Sequence, residues 1–152
     1  MVTSKSQVKA VRNWESRNRG MTSIQTEKRH SRSFLKYKAN FEDLKETQNL
    51  IDKRNKFLKE KHNLIRKLKP IFDKLSAKYK FTVNYVDLKS NLIKEKELQI
   101  LWDKFKKIKG DGILVVINQT DIYNLDDKDS ILRLKENFKI SKEDIAKIKK
   151  KI

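Results

Sequence analysis

Val8, Val11 and Trp14 recur at three-residue steps in a polar stretch, which predicts a helix over residues 4–19. Ser4 or Ser6 can cap it, and Gly20 is placed to end it. Residues 21–30 show no helical period. Thr22, Ile24 and Thr26 alternate with polar residues, which suits a short extended stretch. A short helix is expected over 31–39. Asn40 then offers an N-cap, with Asp43 three residues on as its partner. Beyond it, Leu44, Ile51, Leu58 and Ile65 repeat every seven residues, flanked by Leu50, Phe57 and Leu64. That broad apolar stripe predicts a long helix packed on another helix or on a dimer mate. Pro70 is expected to kink this helix or to open a new one, running to about Lys78.

The pattern then changes. Residues 80–86 alternate and are rich in β-formers, predicting a strand. A helix capped by Ser90 is expected to carry Leu98, Leu101, Trp102, Phe105 and Ile108 and to end at Gly110. Residues 112–117 are a continuous apolar run, the mark of a strand buried on both faces. Residues 120–130 read as an acidic connection and 131–138 as a helix. Ser141 opens a capping box, with Ile140 and Ile145 as its hydrophobic staple. The last helix ends in Lys149, Lys150 and Lys151, favourable at a helix C-terminus. The expected class is mostly α: an N-terminal helical module over 1–65 and a small α+β domain over 66–152. The change of domain is expected within 62–70.

Charge sharpens this division. The 152 residues carry 38 Lys+Arg against 20 Asp+Glu, a formal net charge of +18. Seven of the eight arginines precede Pro70, and Arg133 is the exception. A Lys-rich codon bias raises lysine everywhere but does not grade arginine along one gene. Arginine suits bidentate recognition of phosphate and guanine. With no cysteine, the chain has no disulfide or thiolate metal site, which fits a reducing cytoplasm. It has no apolar run long enough to span a membrane and no leader-like apolar segment near Met1. Three Gly and one Pro favour helices over tight β-turns.

Arg17, Arg19, Lys28, Arg29, His30, Ser31, Arg32, Ser33, Lys36 and Lys38 form the candidate DNA-binding set. If a helix begins at Ser31, its free N–H groups and two serine hydroxyls can hold phosphate while arginines read bases. Helix-turn-helix proportions follow, or a ribbon-helix-helix with 22–27 as the ribbon. The plainer alternative is a solvated basic face.

Ser33-Phe34-Leu35, the stretch Lys38 to Glu46 and Leu50-Ile51-Asp52-Lys53-Arg54 resemble a module of small Gram-positive phage and mobile-element proteins. The opening Ser4 to Val11 with Trp14 is similar too. The same module resembles the N-terminal domain shared by a group of type II-A anti-CRISPR proteins. The resemblance covers about 60 residues; His30, Phe41 and the Lys-rich stretch after Arg54 depart from it. It implies a homodimer on a palindromic operator that represses its own promoter. Arg29, Ser31, Arg32 and Ser33 would face DNA, with Phe34, Leu44 and Ile51 structural. It also implies a C-terminal domain that inhibits Cas9 in a bacterial host cytoplasm.

Asp121, Asp126, Asp127 and Asp129 crowd nine residues of this basic chain. They can mimic phosphate against a basic surface of Cas9, or they can cap and charge a helix start. Enzyme signals are poor. His30 and His62 stand apart in sequence. No Walker A loop, dinucleotide fingerprint or nucleophile elbow occurs, and no cofactor or metal motif is present. Asp111 before the buried strand is reminiscent of nuclease sites, but no Glu-x-Lys follows it.

Overall fold

The computed structural model describes the backbone of residues 4–17 and 19–152, and their side chains except at 15, 17 and 19–22. The chain is mostly helical with one small antiparallel sheet, and it divides into two compact units, 1–52 and 53–152. The division falls inside a helix, earlier than the sequence suggests.

The first unit holds α1 (Lys5–Arg17), α2 (Arg19–Tyr37) and the start of α3 (Phe41–Tyr79). Ser4 caps α1: its Oγ accepts from the Gln7 N–H, and the Ser4 N–H donates to the Gln7 amide oxygen. The Asn40 box is reciprocal. The Asn40 N–H donates to Asp43 Oδ2 and the Asp43 N–H to Asn40 Oδ1, both at 2.9 Å. Three expectations fail here. Gly20 does not end a helix but lies within α2. Residues 22–27 are helical, which removes the ribbon of a ribbon-helix-helix. Ser31 is mid-helix. Alternation over five residues cannot specify a strand without a partner strand, and the strong helix formers Gln25, Glu27, Lys28 and Arg29 carry the helix through.

In the second unit α3 runs unbroken through Pro70. A proline inside a helix costs about 3 kcal/mol. Leu68 and Phe72 on either side of it are fully buried. Each contributes roughly 1.5–3 kcal/mol by leaving water, so packing outweighs the lost hydrogen bond. Arg66, whose carbonyl loses its helical donor at Pro70, and Pro70 itself are both exposed residues. No new helix begins.

Strands β1 (Val83–Leu88), β2 (Ile113–Ile117) and β3 (Asp121–Asn124) pair antiparallel in that order. Every residue of β2 is buried, as its continuous apolar run predicts. Ile113, Val115 and Ile117 face a core built by α3 with α6 (Lys128–Phe138) and α7 (Lys142–Lys149). Leu114 and Val116 face a second core with Leu92, Leu98, Leu101 and Phe105. The expected 90–109 helix is instead α4 (Lys89–Leu92), a 3-10 turn (Lys96–Gln99) and α5 (Trp102–Phe105). In a straight helix Leu92 and Leu98 would point roughly 120° apart. Breaking the helix lets both reach the sheet. Strand β3 replaces part of the expected acidic connection. Asn118 and Gln119, at φ of 54° and 57°, turn the chain from β2 into it.

Ser141 caps α7, its Oγ accepting from the Asp144 N–H, and Ile140 and Ile145 are both buried. The box is only half made. Asp144 turns away, and its Oδ2 accepts from Lys78 Nζ at 2.7 Å and from the Tyr79 hydroxyl at 2.6 Å. Tyr79 in turn accepts the Ser141 N–H. Lys147 holds the other oxygen. Hydrogen bonds from Lys78, Tyr79 and Lys147 hold this buried carboxyl well below its ordinary value of 3.8. Because the folded value is lowered, the stabilisation is present above pH 3.8 and is lost as pH falls below it. The expected result is that Asp144→Asn melts lower than the parent near pH 7. The gap should narrow steadily when thermal melts are repeated towards about pH 2. A gap independent of pH would mean that the carboxylate's charge contributes nothing.

Candidate nucleic-acid interface

Helix α2 presents the candidate residues. On a helix turning 100° per residue, Lys28, Arg32 and Lys36 form one row at four-residue steps, with Arg29 beside it. The four cations fit within an arc of roughly 100° and span about 12 Å of helix. A duplex carries about seven phosphates over that length. All four side chains are exposed. Ser33 borders the row next to Arg29. His30 and Ser31 lie on other sides of the helix, Ser31 roughly 160° from Arg29, so α2 does not gather Arg29, Ser31, Arg32 and Ser33 on one face. Ser31 and Ser33 do not sit at a helix N-terminus, so no free N–H groups surround them. Lys38 is exposed just beyond α2, where the Lys38 and Ala39 N–H groups both donate to the Phe34 carbonyl. The side chains of Arg17 and Arg19 lie outside the described residues. Lys5, Lys9 and Arg12 on α1 are further candidates for phosphate contact. Their spacing on α1 signals them, and they line a shallow groove with Val8 and Asn13.

The two units use their charges differently. Among the described residues all seven ion pairs lie in 53–152: Arg54–Asp111, Lys61–Asp126, Lys78–Asp144, Lys104–Asp121, Lys106–Asp103, Arg133–Asp121 and Lys147–Asp144. Lys28, Arg29, Arg32, Lys36 and Lys38 have no carboxylate partner among the described residues. The Lys36 ammonium lies 5.0 Å from the Tyr37 ring centre.

Compared with protein-family models, curated proteins and solved structures, the chain matches none of them.

The first unit also shows no buried core among its described residues. Among its described residues none is buried, and Val11, Trp14, Phe41, Leu44, Leu50 and Ile51 are each at least 44% exposed. The seven-residue stripe of α3 thus passes from exposed at Leu44 and Ile51 to buried at Ile65.

The acidic cluster is engaged within its own domain. Asp127 is the N-cap of α6, accepting from the Ser130 N–H at 3.0 Å. Asp121 pairs with Arg133 and Lys104, and Asp126 with Lys61. Asp129 lies exposed in the first turn of α6. These placements favour helix capping and internal pairing over phosphate mimicry. Asp111 pairs with Arg54, which also reaches Ser90. Among the described residues no group of three His, Cys, Asp or Glu is placed to hold a metal, and no helix is long and apolar enough to cross a membrane.

Proposed function

We propose that residues 1–52 dock on duplex DNA through the Lys28–Arg29–Arg32–Lys36 row of α2. The observation that carries this reading is the contrast in pairing. Seven cations of the second unit are paired with carboxylates, whereas none of the α2 row is, among the described residues. Unmatched cations at this density repel one another unless a polyanion neutralises them. The mechanism is occupancy: counterions leave the phosphates, and one or both arginines read base edges.

A second copy is the natural cover for the exposed apolar residues of the first unit, since a helical unit of this size gains little stability without a buried face. A two-fold dimer would meet a palindromic operator, as expected of a repressor acting on its own promoter. The fuller reading, taken from the resemblance, adds a steric block of Cas9 by 53–152, making the chain an anti-CRISPR protein. The plainer reading is a phage or mobile-element regulator without that partner.

The test of DNA docking is duplex binding by the full chain across salt concentrations. Between about 50 and 200 mM salt the affinity should fall by a factor of ten to a hundred or more, with a log–log slope of at least about −3. A flat salt profile would overturn the reading. Co-purification with guide-loaded Cas9, with and without duplex, separates the two fuller readings.

A further inference from the structure

The lysines of α6 and α7 form a pattern that DNA docking does not use. The two helices are joined at Lys139, which adopts a left-handed φ of 53° and lets the Ile140 N–H close on the Lys135 carbonyl. Between them lies a groove of about 260 Å³. Its apolar lining is Ile131 and Leu132 from α6 and Ile145 and Ala146 from α7. Lys128 and Lys135 border it on one helix, and Lys142 and Lys149 on the other. Each pair is seven residues apart, two helical turns or about 10.5 Å. Lys128, Lys142 and Lys149 are exposed and Lys135 is half-buried, and none of the four has a carboxylate partner among the described residues. No Asp or Glu lines the groove. In the same domain the larger groove of about 640 Å³ beside Lys104 and Arg133 carries both signs, and those two cations already pair with Asp121.

From this geometry we infer that the α6–α7 groove binds an acidic, amphipathic segment of a partner protein, most simply a helix with leucine-like residues on one face and carboxylates around them. Three features select that occupant. The groove is smaller than the roughly 300–1,000 Å³ of a small-molecule site, so it takes single side chains from a surface-bound peptide. Its apolar floor has no use for a phosphate backbone and suits apolar anchors at positions i, i+3 or i+4, and i+7. Its rim is lysine without arginine, point charges that attract carboxylates without the bidentate geometry favoured for phosphate. Leu132, 50% exposed, is the anchor point, and Ala146 leaves room opposite it. The inference goes beyond the DNA reading and holds whether or not Cas9 is the partner.

The test uses the full chain and a fluorescein-labelled synthetic helix of about 16 residues, leucine on one face and glutamate elsewhere. A polyglutamate of equal length and a labelled DNA duplex are the comparison probes. The parent should bind the Leu/Glu helix at least about tenfold tighter than polyglutamate. Lys135→Glu with Lys142→Glu should weaken that binding about tenfold or more while leaving duplex binding within about twofold. Leu132→Ser should remove most of the preference over polyglutamate. If the double reversal lowers the melting midpoint, Lys128→Ala with Lys149→Ala gives the same readout from the other lysine pair. Equal binding of both acidic probes, no binding to the parent, insensitivity to the lysine changes, or displacement of the helix by duplex would each overturn the inference.

Discussion

Replacing Lys28, Arg29, Arg32 and Lys36 together by glutamine should lower affinity for duplex DNA at least about a hundredfold near 50 mM salt. The log–log salt slope should shrink by about 3 to 4, near one for each phosphate contact removed. Glutamine is nearly as good a helix former as lysine or arginine, and all four positions are exposed, so α2 should persist. Far-ultraviolet circular dichroism checks that point. A conservative pair refines it. Arg29→Lys with Arg32→Lys keeps the charge, so the slope should stay. If either arginine reads a guanine edge, discrimination between operator and unrelated duplex should fall by about 1–3 kcal/mol. A quadruple variant with an unchanged slope would remove α2 from the interface and leave the α1 row of Lys5, Lys9 and Arg12 as the remaining cluster.

Phe72→Ala should cost about 3–5 kcal/mol, because it empties a fully buried position between α3 and the sheet. A domain of this size has about 5–15 kcal/mol in all, so a large share of its stability is lost. Thermal melting should shift down by roughly 15–30 °C. The loss should be amplified locally, since Phe72 is one of the two buried side chains that flank Pro70 in the continuous α3. Hydrogen exchange should therefore rise first around 66–72. Ile100→Ala, at an 84% exposed position, is the matched control and should stay within about 0.5 kcal/mol of the parent. A melting shift for Phe72→Ala no larger than the control's would contradict the buried packing described for α3.

Some features needed only the residues near them in sequence. The Asn40–Asp43 box and the Ser141 cap close over three residues. The burial of β2 follows from five consecutive apolar residues, and the arginine gradient can be read directly from the chain. These depend on backbone geometry over one turn, or on composition, and no distant partner can reverse them. The division into a helical first unit and a small α+β second unit follows from the same signals.

Other features were decided by contacts far along the chain. The continuity of α3 through Pro70 depends on Leu68 and Phe72 finding the sheet and the C-terminal helices. The short β3 has meaning only beside β2. Asp144 leaves its own capping box because Lys78 and Tyr79, more than sixty residues earlier, offer stronger donors. The aspartates of 121–129 lose much of their apparent freedom to Arg133, Lys104 and Lys61. In α2, by contrast, the local helix formers Gln25, Glu27, Lys28 and Arg29 made the alternating stretch helical, which moved Ser31 from a supposed helix start to mid-helix and divided the candidate DNA-facing set between faces. Local propensity contributes only tenths of a kcal/mol per residue. Burial of one large side chain contributes several times that, so where the two conflict the tertiary partner decides.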